Sequence, residues 1–218
     1  MLDPAATPVS PKTRSRRSFV TGAFMGGAAG VLATTGFHAV GHVALEHSDH
    51  VDIGFCTDMT VHHMQAIGMC ERVLGRDTGD PVQAAATEVL RNQAIEVGMM
   101  RAWLADWGAS TAPPTTVMAW MSMGEMAAGE HEGMPLADMP GYATLAELSA
   151  LSMADSGVPV GRMWLQLMRA HHVGGVAMAE AAAGMASSEK VVRLARTQAE
   201  AQTWEIDQYD VLLRTQYA

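Results

Sequence analysis

The stretch MTVHHMQAIGM, Met59 to Met69, returns later in the chain as MRAHHVGGVAM, Met168 to Met178. The offset is 109 residues and holds without a gap over about 46 positions. Glu71, Gly75, Val82, Ala86, Gln93, Glu96 and Leu104 meet Glu180, Gly184, Val191, Ala195, Gln202, Glu205 and Leu213 at the same offset. Rare residue types recurring at one spacing mark a duplication, and each copy reads as a helical hairpin. Repeat 1 spans about 52–106, with one helix over 52–75 stopping near Gly75. The next covers 80–106, with Asp80 as its cap and Pro81 in its first turn. Repeat 2 spans about 159–215, with helices from about Val160 to Ala183 and from about Ser188 to Thr215. Two hairpins with matching apolar faces predict an all-α, ferritin-like four-helix bundle over about 50–216. Residues 108–142 form a Met-rich connection, followed by a short helix over 143–155.

Outward from this core, composition narrows the function. The chain of 218 residues carries 23 acidic and 14 basic side chains, a net charge of −9, which argues against nucleic-acid binding. Residues 1–17 hold Lys12, Arg14, Arg16 and Arg17 among three prolines and read as a disordered basic leader. An uncharged run from Phe19 to Phe37 follows, so residues 18–41 resemble a twin-arginine export signal. No Ala-x-Ala follows it, which leaves retention as a membrane anchor open; Ala39-Val40-Gly41 is the nearest cleavage candidate. The positive-inside rule places the rest outside the cytoplasm, in the periplasm or on the outer face of the membrane. Cys56 and Cys70 fall on one predicted helix about 21 Å apart, too far for a bridge.

On a helical wheel Met59, His62, His63 and Met69 share one broad arc with both cysteines, and Met168, His171, His172 and Met178 repeat it. Thioether and imidazole groups thus converge on the face the bundle buries. Met59 and His63 lie about 6 Å apart along the axis and suit one ion, whereas Met59 and Met69, about 15 Å apart, do not. Soft sulfur with imidazole suits Cu(I) best and Zn(II) less well; Ca²⁺ and Mg²⁺ need oxygen. Against this stands the plainer reading that the methionines fill the core and the histidines serve a polar network. Gln93-x-x-Glu96 and Gln202-x-x-Glu205 each put an amide and a carboxylate on one helix face. They read either as a solvated surface or as groups turned inward to hydrogen-bond the imidazoles. A pseudo-two-fold arrangement would bring His62 and His63 near His171 and His172, with Glu96 and Glu205 behind them. The connection adds Met118, Met121, Met123, Met126, His131, Met134 and Met139, either a flexible set of weaker Cu(I) sites or a hydrophobic loop over the bundle end. The Glu-x-x-His spacing of a di-iron centre is absent, as are nucleophile elbows and phosphate loops, so no catalytic residues are assigned.

The paired Met-x-x-His-His blocks, the Gln-x-x-Glu helices and His131-x-Gly-Met134 resemble the domain-of-unknown-function 305 family over roughly 50–216. The resemblance implies an exported ferritin-like bundle, some members having roles in periplasmic copper binding and resistance. It implicates Met59, His62, His63, Met69, His131, Met134, Met168, His171, His172 and Met178. The chain departs from the family at Val160-Gly161, where Phe-Asp is frequent, and at Val173-Gly174-Gly175, where Glu-Gly-Ala is frequent. The expectation is an exported copper-binding chaperone, buffer or resistance factor, without turnover, serving a membrane-bound copper or respiratory protein. The alternative is a structural module docking to a membrane complex.

Overall fold

The computed structural model describes residues 48–121 and 132–218. The leader, the export segment, Met123, Met126 and His131 lie outside the described residues. Among the described residues five α-helices carry the fold: α1 His50–Glu71, α2 Asp80–Asp106, α3 Leu145–Met153, α4 Val158–Met185 and α5 Glu189–Thr215. No helix among them is long and apolar enough to cross a membrane.

Local chemistry sets the helix ends. Asp49 accepts from the Val51 and Asp52 amides while Asp52 reaches back to the Asp49 amide, a reciprocal cap that opens α1. This helix ends at Glu71, earlier than the expected residue 75; the chain then turns and reaches Gly75 at φ +78°. Asp80 does not cap α2. Gly79, at φ +86°, holds the cap position, and Asp80 and Pro81 occupy the first turn, where the missing proline N–H goes unneeded. At the start of α5 the Ser188 amide donates to Asp52 Oδ1 at 3.0 Å, so one aspartate serves the first turns of two helices.

The helices pack as two hairpins, α1 on α2 and α4 on α5, joined across α1 and α4. Two apolar clusters fill the interior. One gathers Phe55, Met59, Met100, Leu104 and Met178; the other gathers Met69, Trp164, Leu165, Met168 and Tyr209. Met59 and Met69 therefore belong to different ends of the bundle, as their axial spacing requires. All four helix methionines flanking the histidine pairs are fully buried, each stabilising the fold by about 1.5–3 kcal/mol through burial.

The connection is not a free loop where it is described. Thr116–Val117 (β1) pairs antiparallel with Met134–Pro135 (β2), and a single 3₁₀ turn follows at Leu136–Asp138. Val117, Met118, Trp120 and Met139 are buried in the first cluster. Of the two readings of the Met-rich connection, this favours the hydrophobic loop at Met118 and Met139, because their side chains finish the core. Asp58 Oδ2 accepts from the Met118 amide at 2.7 Å and from Trp120 Nε1 at 2.8 Å. Trp120 lies so close to α1 that a Cβ at Gly54 would stand 2.5 Å from its Cδ1. Further on, Gln65 grips the Ala143 backbone, donating to its carbonyl at 2.8 Å and accepting from its amide at 2.6 Å. Opposite, Gly174 leaves space on α4 for the Pro140 carbonyl, which any Cβ there would strike. The connection is thereby clamped across α1 and α4 beside the histidines.

Candidate metal centre

His62, His63, His171 and His172 are all fully buried at the meeting of α1 and α4. The His62 and His171 rings stack with centroids 3.6 Å apart and planes inclined by 29°. His171 Nε2 lies 2.9 Å from the His62 backbone carbonyl, and a carbonyl can only accept, so this nitrogen carries a proton. The outer members of each pair face the flanking helices. His63 Nε2 donates to Glu96 Oε2 at 2.7 Å, and His172 Nε2 donates to Glu205 Oε2 at 2.7 Å. The structure thus brings the two His pairs together, with both glutamates behind them. Gln93 and Gln202 are also turned inward and buried, which excludes the solvated-surface reading for these helix faces.

These bonds decide what remains available. With Nε2 protonated and engaged, a neutral imidazole offers Nδ1 as a bare lone pair. The Nδ1 atoms of His63, His171 and His172 are buried without a hydrogen-bond partner, and His62 makes no well-formed bond at either nitrogen. Burial, then the neighbouring imidazoles His63 and His172, hold His62 well below the ordinary histidine range; the Pro140 carbonyl opposes this weakly. His171 is lowered likewise, first by burial and next by His62. Both inner rings are neutral at physiological pH and keep their lone pairs.

The remaining candidates are placed less centrally. Met59 and Met178 sit in the first apolar cluster, Met69 and Met168 in the second, and Met134 is half-buried at the edge of the first. Cys56 and Cys70 are free and buried, and burial pushes both thiols up to about 12, so neither is a ready thiolate. Among the described residues no three His, Cys, Asp or Glu side chains converge as a metal site. An ion held here would draw on one or two imidazoles, with the buried methionines of the two clusters as the candidate sulfur donors. Imidazole and thioether are donors for a soft, low-coordinate ion and not for one that requires six oxygens.

One participant escaped the sequence reading. Gln198 Nε2 donates to Glu96 Oε2 at 3.0 Å and lies 3.3 Å from His63 Nε2. Its counterpart at the 109-residue offset is Val89, so the repeat carries no trace of it. Position on the α5 face, one turn before Gln202, was the available signal.

The family model described as Domain of unknown function (DUF305) matches residues 52–213. The chain belongs to this family. A solved DUF305 protein from Streptomyces coelicolor shares 35% identity at a TM-score of 0.65, covering 75% of this chain and 92% of its own. A DUF305 fragment from Deinococcus radiodurans shares 28% identity at 0.60, covering 76% and 97%. CopM in the Cu(II)-bound form shares 25% identity at 0.57, covering 76% and 97%. Comparison with curated proteins yields no match. The family match over residues 52–213 spans both hairpins, and the solved relatives share the all-α fold.

Proposed function

We propose that the chain is an exported, non-catalytic copper-binding protein that takes Cu(I) at the buried histidine cluster and serves as a chaperone, buffer or resistance factor. The observation that carries the reading is the set of unpartnered Nδ1 atoms on buried imidazoles whose Nε2 atoms are already engaged. A buried lone pair without a donor costs about 1–3 kcal/mol, and a metal ion is the partner that removes this cost. Carboxylate behind imidazole is also the arrangement that fixes ring orientation and raises basicity at a metal-bound histidine. Glu96 and Glu205 orient His63 and His172; Met59 and Met178 on one side, and Met69 and Met168 on the other, are the thioethers within the same core. Bound Cu(I) would be shielded from water, which favours storage and hand-over. The similarity to CopM in its Cu(II)-bound form supports copper as the metal class. Export rests on the Arg16-Arg17 signal, and the Streptomyces coelicolor relative is itself named as a candidate secreted protein.

The test is imidazole ¹⁵N NMR on the reduced chain with and without Cu(I). The expected result is one tight equivalent that shifts Nδ1 resonances while the Nε2–H signals toward Glu96 and Glu205 persist. His63→Ala with His172→Ala should abolish the tightest site, folding being verified by circular dichroism. Absence of binding, or a folded double variant with full affinity, overturns the reading.

A further inference from the structure

The four imidazoles are sealed from solvent, so a metal ion needs a way in, and this inference rests on the copper reading above. The α2 and α5 helices do not close on each other. Between them runs a groove of about 560 Å³ whose lining includes Glu96, Glu205, Gln93, Gln198 and Gln202. The two carboxylates are the contact between groove and cluster. Their side chains are 20% and 16% exposed while the histidines bonded to them are fully buried. The three glutamines are at least nine-tenths buried, and each keeps a buried Oε1 without a hydrogen-bond partner.

One of those oxygens leads inward. Gln202 Oε1 and the His62 ring crowd the same point beside Gly175, where a Cβ would meet the amide oxygen and stand 3.2 Å from His62 Cε1. Glycine at 175 is what lets the amide reach the inner imidazole. The two carboxylates at the groove floor attract a cation locally, and unpaired amide oxygens offer successive weak contacts to a cation that is losing water. Two basic groups line the outer part of the same groove. The Lys190 ammonium lies 5.3 Å and 4.8 Å from the Trp103 and Trp107 ring centroids, and Arg193 pairs with Glu189 at 3.1 Å.

We infer that the α2–α5 groove is the metal ion's port, in which Glu96 and Glu205 receive it and Gln93, Gln198 and Gln202 pass it to His62 and its partners. A port changes rates and leaves equilibrium alone. The test is therefore the release of Cu(I) from the full chain into excess colour-forming chelator, under conditions where the rate no longer depends on chelator concentration. Affinity is measured separately by competition.

Ala201 is exposed, lines the groove and makes none of the bonds described above. Ala201→Trp plugs the passage and should slow release at least tenfold with Kd unchanged. Thr197→Trp, one turn earlier on the same wall, is a second plug in case the first fails to fold. Ala146→Trp, in the separate groove beside Gln65 and Ala143, should leave the rate unchanged. Wild-type release from the α5 plugs, or slowing by Ala146→Trp instead, overturns the port while leaving the binding site standing. Failure of the unmodified chain to bind Cu(I) at all sinks the function, and the port with it.

Discussion

Asp58 offers a quantitative check on how the connection is locked to α1. Its carboxyl is 3% exposed and accepts from the Met118 amide and Trp120 Nε1. Burial raises its pKa from 3.8 to about 6, the two donors only partly offsetting the loss of water. Between those values the folded chain binds a proton that the unfolded chain has released. Stability from this group is therefore highest at and below about pH 4 and falls as pH rises through 6. Two units correspond to about 3 kcal/mol. Asp58→Asn can keep an oxygen facing both donors and carries no charge. Urea unfolding followed by circular dichroism at pH 4, 5, 6 and 7.5 should show the variant gaining on the parent by roughly 3 kcal/mol across the range, the other carboxylates cancelling in the difference. Asp58→Ala should instead cost about 1–3 kcal/mol for each orphaned donor at pH 4, the deficit shrinking as pH rises and the parent's carboxyl becomes charged. A flat difference between parent and Asn variant would refute a buried, penalised carboxylate at this position.

Further expectations follow from the same geometry. Gln65→Leu strands the Ala143 amide and carbonyl and should lower stability by about 2–4 kcal/mol, with faster amide exchange at 139–143 as the local signature. Gly174→Ala forces a methyl against the Pro140 carbonyl and should cost about 1–3 kcal/mol in the same unfolding assay. Cu(I) at 100 times its Kd should raise unfolding free energy by about 2.7 kcal/mol, and removing it with chelator should reverse the gain. Replacing Arg16 and Arg17 with Lys should trap the chain in the cytoplasm, read by fractionation; normal export would remove the twin-arginine assignment.

Much of this was legible because duplication writes the same physics twice. The 109-residue offset exposed both hairpins, and helical arcs placed the imidazoles on the buried face without any tertiary information. Glu96 and Glu205 were legible as candidates for the same reason, since i, i+3 spacing with Gln puts them beside an inward amide. What the repeat does not encode is what differs between copies. Gln198 opposes Val89, so no pattern marked it. Capping at α2 was misread because Asp is a frequent cap, whereas the turn geometry at position 79 requires positive φ and selects glycine. Composition left the Met-rich connection open between a flexible run and a buried loop, because only the contacts of Asp58 with the Met118 amide and Trp120, and of Gly54 with Trp120, show that α1 receives it.

The same differences explain why a duplicated sequence does not make a symmetric site. His171 Nε2 bonds the His62 carbonyl, yet neither His62 nitrogen makes a well-formed bond in return. On α1 the connection is held by the Gln65 amide; at the matching position of α4, Gly174 admits the Pro140 carbonyl instead. Pro140 therefore lies toward His62 from one side while Gln202 approaches past Gly175 from another, each over a glycine of α4. His62 is consequently the ring with most freedom to present either nitrogen, and His171 the ring most firmly fixed. If one imidazole reorients as metal arrives, His62 is that imidazole. Its ring resonances should move most on Cu(I) binding, while the His171 Nε2–H signal stays in place. Equal movement of both would show that the bundle behaves as a true two-fold despite its asymmetric clamps.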